Sequence, residues 1–135
     1  MKKKLSRSEA RCEAFKIIFS LNQHKDDVEF LFENLAAENP ASVTSMTYIK
    51  NTVLGVLDKE DEILDVISKN LTSNWRLERI SKVSRSILLL AIYEIMYADD
   101  VPAPVAINEA VELSKKFDEP DSSSFINGVL AGVVR

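Results

Sequence analysis

The chain has 135 residues, of which 46% are apolar and 28% charged, with a net charge of −4, one cysteine and one histidine. A chain of this size buries roughly two-thirds of its unfolded surface, enough for one domain with its own core, and three glycines with four prolines leave little room for the tight turns of an all-β fold. Cys12 lacks a partner for an internal disulfide, no apolar run approaches the roughly 18 residues of a membrane span, and the basic start lacks the apolar core of a signal peptide, so a cytoplasmic location is expected.

In chain order, Ser6-Arg7-Ser8-Glu9 has the pattern of a capping box, with Leu5 placed as a hydrophobic staple. A helix is predicted over 7–22, its apolar face formed by Ala10, Ala14, Ile17, Ile18 and Leu21. Asp26 or Asp27 can cap a second helix carrying Val28, Leu31, Phe32 and Leu35, which Asn39-Pro40 ends. A third begins at Ser42 or Thr44 and turns Met46, Ile49, Val53 and Leu57 inward. A fourth is predicted over 60–71 with Ile63, Leu64 and Ile67, followed by a connection, Thr72-Ser73-Asn74-Trp75, anchored by its tryptophan.

The segment 83–97 is apolar nearly all round, with Glu94 the only charge between Ile87 and Met96, and so reads as a central buried helix. Pro104 suits the first turn of the next, which places Ile107, Ala110, Val111, Ser114 and Phe117 on one face. Asp121 or Ser122 can cap a last helix with Phe125, Ile126, Val129, Leu130 and Val133. The expectation is an all-α fold of about seven helices in two packed bundles forming one compact domain over 1–135, with halves of about 1–75 and 76–135.

The net charge conceals an asymmetry. Residues 1–11 hold Lys2, Lys3, Lys4, Arg7 and Arg11 against Glu9 alone, while acidic side chains outnumber basic ones in the remainder. A basic arm on an acidic body points to a polyanionic partner, or else to a solubilising, frayed terminus. Arg7 and Arg11 lie near a helix N-terminus, where cations oppose the helix dipole, and a local rule broken without visible compensation hints at function. Arg11, Phe15 and Phe19 form an i, i+4, i+8 ridge. Arginine beside aromatic rings suits single-stranded RNA; the two rings equally suit the core.

Catalytic chemistry finds little support. His24 lies in a polar stretch and reads as a surface residue. Zinc needs about four converging ligands, and no nucleophile stands beside a base. Gly55, Gly128 and Gly132 are too scattered for a phosphate loop. No enzyme, metal or cofactor is expected.

The C-terminal third carries the most specific pattern: Asp100-Val101-Pro102, then 105–113 (VAINEAVEL), Lys116-Phe117, and 124–130 (SFINGVL). Together with Ala10-Arg11, Ala14 and 91–94 (AIYE), these segments run in order from about Arg7 to Leu130. They resemble the NusB family of bacterial transcription antitermination factors. The resemblance implies a helical adaptor that pairs with NusE, a ribosomal small-subunit protein, on boxA-type RNA, with other Nus factors and RNA polymerase as indirect partners, and that supports ribosomal RNA synthesis. It also implies an RNA-binding arm in which Lys3, Arg7 and Arg11 match basic positions, with Lys2 and Lys4 beside them. Phe19 stands where a tyrosine is common, and Phe117, Asp121 and Phe125 match positions near the RNA surface.

This sequence departs from the family pattern at Ser8 and Glu9, where further arginines occur, at Ser84, commonly acidic, and at Leu89, commonly basic. Asn108, Glu109 and Asn127 read equally as helix-to-helix buttresses or as site residues. A helical protein-interaction module with little RNA binding is the alternative, and an apolar helix face could serve a homodimer. A NusB-like domain also begins some ribosomal RNA cytosine methyltransferases, whose catalytic domain 135 residues do not accommodate. Charge reversal at Arg7 and Arg11 is expected to weaken RNA binding and leave helicity and melting unchanged.

Overall fold

Six α-helices and two short 3₁₀ turns make up the regular structure of the computed structural model, which describes residues 4–72 and 75–134. Helix α1 (Arg7–Gln23) begins with the expected capping box: the Ser6 hydroxyl accepts from the Glu9 N–H at 3.0 Å, and the Glu9 carboxylate accepts from the Ser6 N–H at 2.8 Å. Asp27 caps α2 (Val28–Glu38), and Pro40 turns the chain into the first 3₁₀ turn, Pro40–Ser45. Among the described residues there is no strand.

The third and fourth predicted helices are one, α3 (Met46–Lys69). Its 24 residues span about 36 Å at roughly 1.5 Å per residue. Ile49, Val53, Val56, Ile63 and Ile67 are fully buried along it and share one face, with half-buried Glu60 between Val56 and Ile63. The polar stretch 58–62 contains no helix breaker and none of its residues is fully buried, so the helix continues through it. Gly55 lies within this helix because the Tyr93 ring packs against its backbone, leaving no space for a Cβ.

A second 3₁₀ turn, Leu77–Arg79, leads into α4 (Lys82–Tyr97), capped by the Ser81 hydroxyl on the Ser84 N–H at 3.0 Å. Ile87 to Ile92 are buried without interruption, as the apolar run required. Helix α4 packs against α1, α3, α5 (Ala103–Phe117) and α6 (Ser122–Val133) and is the centre of the molecule. Leu89 is completely buried there, so a basic side chain at this position would enter the core. Asp121 occupies the N-cap position of α6 but its side chain makes no capping hydrogen bond. Among the described residues no helix is long and apolar enough to cross a membrane.

Replacing Gly55 with alanine gains at most about 1 kcal/mol of helix propensity and forces a methyl group into the Tyr93 ring, at an overpacking cost of about 1–3 kcal/mol. The expected outcome for Gly55→Ala is a net loss of about 1 kcal/mol, read as a fall of roughly 3–5 °C in Tm. An unchanged Tm would show that Tyr93 swings aside freely.

Candidate nucleic-acid interface

The capping box fixes the first turn of α1, and with it the direction in which the basic side chains leave the helix. Lys4 and Arg7 are exposed. The Arg7 guanidinium lies over the Tyr48 ring, 4.1 Å from its centroid. Among the described residues Arg7 makes no salt bridge. Lys2 and Lys3 lie outside the described residues.

Arg11, one turn further on, is different. It is only 3% exposed. Its Nε donates to Glu94 Oε1 at 2.6 Å and its Nη2 to Glu94 Oε2 at 3.2 Å, while Nη1 lies 3.1 Å from Glu109 Oε1. The Tyr48 hydroxyl donates to Glu94 Oε2 at 3.0 Å, and the Ser8 hydroxyl donates to Glu109. Burial alone would lower the Arg11 pKa, but the hydrogen bond and charge of Glu94, with Tyr48 and Glu109, together raise it. Burial, and then the Glu94 charge, push Tyr48 well above the ordinary tyrosine range, so it stays a neutral donor.

Arg11, expected as a phosphate contact, thus lies in the interior rather than on the surface. Its donors are taken up by two carboxylates inside the protein, and those carboxylates are the compensation for a cation near a helix N-terminus that the sequence did not reveal. Glu109 is a buttress between α1 and α5. Sequence reasoning missed Tyr48 and the role of Glu94, although a lone carboxylate in an apolar helix is a signal, since a buried charge requires a partner.

The aromatic candidates divide. Phe15 is core at 3% exposure, stacked on Phe19 at 6.2 Å and tilted against Phe117 at 5.1 Å. Phe19 and Phe117 are half-buried at either side of it. Phe125 packs on Trp75, ring centroids 5.3 Å apart, and Trp75 keeps nearly half its surface exposed. These two rings, with exposed Asp121, Arg79, Ser84 and Asp118, border a hollow of 230 Å³. Arg7 lines other hollows than the one at the Asp121–Phe125 corner.

Asp118 organises that corner. Its Oδ2 accepts from the Ser84 hydroxyl at 2.5 Å and the Ser81 hydroxyl at 3.2 Å, and its Oδ1 from the Glu119 N–H at 2.9 Å. Burial pushes its pKa up, but the hydrogen bonds from Ser84, Glu119, Ser122 and Ser81 outweigh burial and hold it below the ordinary aspartate value. Asn108 and Asn127 are exposed across an open hollow between α5 and α6. His24 is exposed, its Nε2 2.8 Å from Asp26. Among the described residues no three His, Cys, Asp or Glu side chains are placed to hold a metal ion.

Two predictions follow from these networks. Arg11→Ala strands the buried Glu94 carboxylate and is expected to cost about 3–5 kcal/mol, whereas Arg7→Ala costs under about 1 kcal/mol. Urea unfolding measures both, and equal losses would contradict the assignment of Arg11 to the interior. Because the folded Asp118 pKa is depressed, its contribution is present above the unfolded value near about pH 4 and is lost as pH falls through the lower folded value. Asp118→Asn should flatten the drop in Tm on acidification through that window; an unaltered pH profile would refute the coupling.

Residues 8–135 match the sequence model of the NusB family. The chain is 39% identical over 137 residues to the transcription antitermination protein NusB of Clostridium botulinum, covering 100% of this chain and 99% of that protein. Among solved structures, T. maritima NusB superposes with a TM-score of 0.87 at 30% identity, over 97% of this chain and 92% of that one. A chain of the complex of antitermination factors NusB and NusE with double-stranded RNA shares the fold, with a TM-score of 0.83 at 24% identity over 94% of each chain.

Proposed function

The chain belongs to the NusB family, and from that premise and the geometry of α1 we propose that it is a transcription antitermination adaptor that holds boxA-type single-stranded RNA jointly with NusE and so supports ribosomal RNA transcription. The observation that carries the RNA contact is Arg7: an exposed guanidinium on a capped helix turn, stacked on a ring, with Lys4 exposed just before it. Phosphate binding needs cations whose donors are not already spent inside the protein, and Arg7 meets that condition where Arg11 does not.

The interface proposed is Lys4 and Arg7, continued by Lys2 and Lys3, with Phe19, Phe117, Asp121 and Phe125 as the second contact region. Arg11 acts behind it, by fixing the helix that presents Arg7. Two separated regions suit an extended strand whose phosphates meet the arm and whose unpaired bases stack on rings. With few free cations on this surface, a NusE partner supplies part of the affinity. The protein acts in the cytoplasm, as one domain over 1–135, an assignment supported by the continuous hydrophobic core through all six helices. It performs no catalysis of its own.

A titration of labelled boxA RNA at several salt concentrations, with and without NusE and with solution mass recorded, tests this reading. NusE should tighten binding. Lys4→Ala and Arg7→Ala should each weaken it and reduce the slope of log K against log salt by about 0.7, the increment for one phosphate contact on a single strand. Undiminished affinity and slope in both variants would remove the arm from the interface, and capture of NusE without any RNA shift would leave a protein-interaction module instead.

A further inference from the structure

We propose that Tyr48 is a positioning residue for RNA binding, its ring serving as the bed on which Arg7 is held with its hydrogen-bonding edge turned toward phosphate. The proposal deepens the reading above and rests on Arg7 being a phosphate ligand.

The arrangement has three parts. The Arg7 guanidinium lies 4.1 Å from the Tyr48 centroid, whereas Arg11 is 5.9 Å away and engaged by Glu94. The ring is itself fixed, because its hydroxyl donates to the buried Glu94 carboxylate at 3.0 Å and that carboxylate is gripped by Arg11. Finally, Arg7 and Tyr48 border a cleft of 640 Å³ whose walls include the hydroxyl and amide groups of Thr44, Thr47 and Asn51, with Asp100 and the Arg11-paired Glu94 as its carboxylates.

The chemistry explains why a ring and not a carboxylate holds Arg7. All five N–H donors of a guanidinium lie in its plane. Stacking on an aromatic face restrains the group through its flat side and leaves that edge open. A carboxylate would restrain it equally but occupy the donors that phosphate needs, which is the fate of Arg11. A long side chain already restrained loses less freedom on binding, so the ring raises affinity without touching RNA. The buried Arg11–Glu94 pair then acts on the interface at one remove, through the Tyr48 hydroxyl.

The test is fluorescence anisotropy with labelled single-stranded boxA RNA and NusE, run as a double-mutant cycle. Arg7→Ala is expected to weaken binding about tenfold. Tyr48→Leu is expected to weaken it about threefold, and Tyr48→Phe, which keeps the ring but loses the hydroxyl that fixes it, to weaken it less than Tyr48→Leu does. In the Arg7→Ala background, Tyr48→Leu should add nothing, whereas a general structural role would lower affinity equally in both backgrounds and overturn the proposal. An Arg7→Ala variant with full affinity overturns the reading of Arg7 and the proposal with it. An Arg7 effect with full affinity in Tyr48→Leu overturns the proposal alone. Should Tyr48→Leu fail to fold, the Arg7 δ-methylene protons of the unaltered chain decide: an upfield ring-current shift is expected, and random-coil positions would overturn the proposal.

Discussion

A carboxylate buried in the middle of an apolar helix organises this molecule. Glu94 is 1% exposed on α4, the helix that α1, α3, α5 and α6 all pack against. An isolated charge in that place is prohibitive, so the fold must deliver a cation to it. Arg11 delivers a fork from α1, Tyr48 adds a third donor from α3, and Glu109 of α5 takes the remaining guanidinium nitrogen. Four helices thus meet at one polar knot. Its value lies less in net stability, since apolar replacements of buried ion pairs are often neutral or better, than in permitting one rotation of α1 and one register against α4.

That rotation decides which charges remain available. Side chains one turn apart lie on nearly the same face of a helix, yet Arg7 and Arg11 have opposite fates because Glu94 of α4 and Glu109 of α5 engage Arg11, while Arg7 lies over the Tyr48 ring. The basic arm is thereby reduced, among the described residues, to Lys4 and Arg7 on a body rich in acid. Such a surface binds polyanions weakly by charge alone. Preorganising the few cations, and sharing the strand with a second protein, are the physical routes left to a useful affinity.

Much of the fold was legible because local rules agreed with the global packing. The capping box at Ser6–Glu9, the breaks at Asn39-Pro40 and 99–102, and the apolar run of α4 each produced the element expected. The continuity of α3 was not legible. Its polar stretch 58–62 resembles a link in one dimension, and only the alignment of Val56 with Ile63 on a single buried stripe shows that the helix runs on. The site was less legible than the fold for a related reason. Spacing placed Arg7 and Arg11 on one helix, but the partner that separates them, Glu94, lies 83 residues away in sequence. Phe15 fell to the core and Phe19 to its edge by the same long-range packing.

The serine at position 84 is explained by its partner in the fold. Ser84 stands where the resemblance makes an acidic residue common, and its hydroxyl donates to Asp118, whose carboxylate is held ionised by Ser81 and the Glu119 N–H as well. A carboxylate at position 84 would face that group and repel it; a serine supports it. The negative charge of this corner is carried by Asp118 at the end of α5, beside Asp121 and the Trp75–Phe125 rings. A base edge presenting N–H donors would meet an acceptor there. Ser84 and Asp118 form one hydrogen-bonded unit, and the negative charge of the corner rests on the carboxylate that this unit holds ionised.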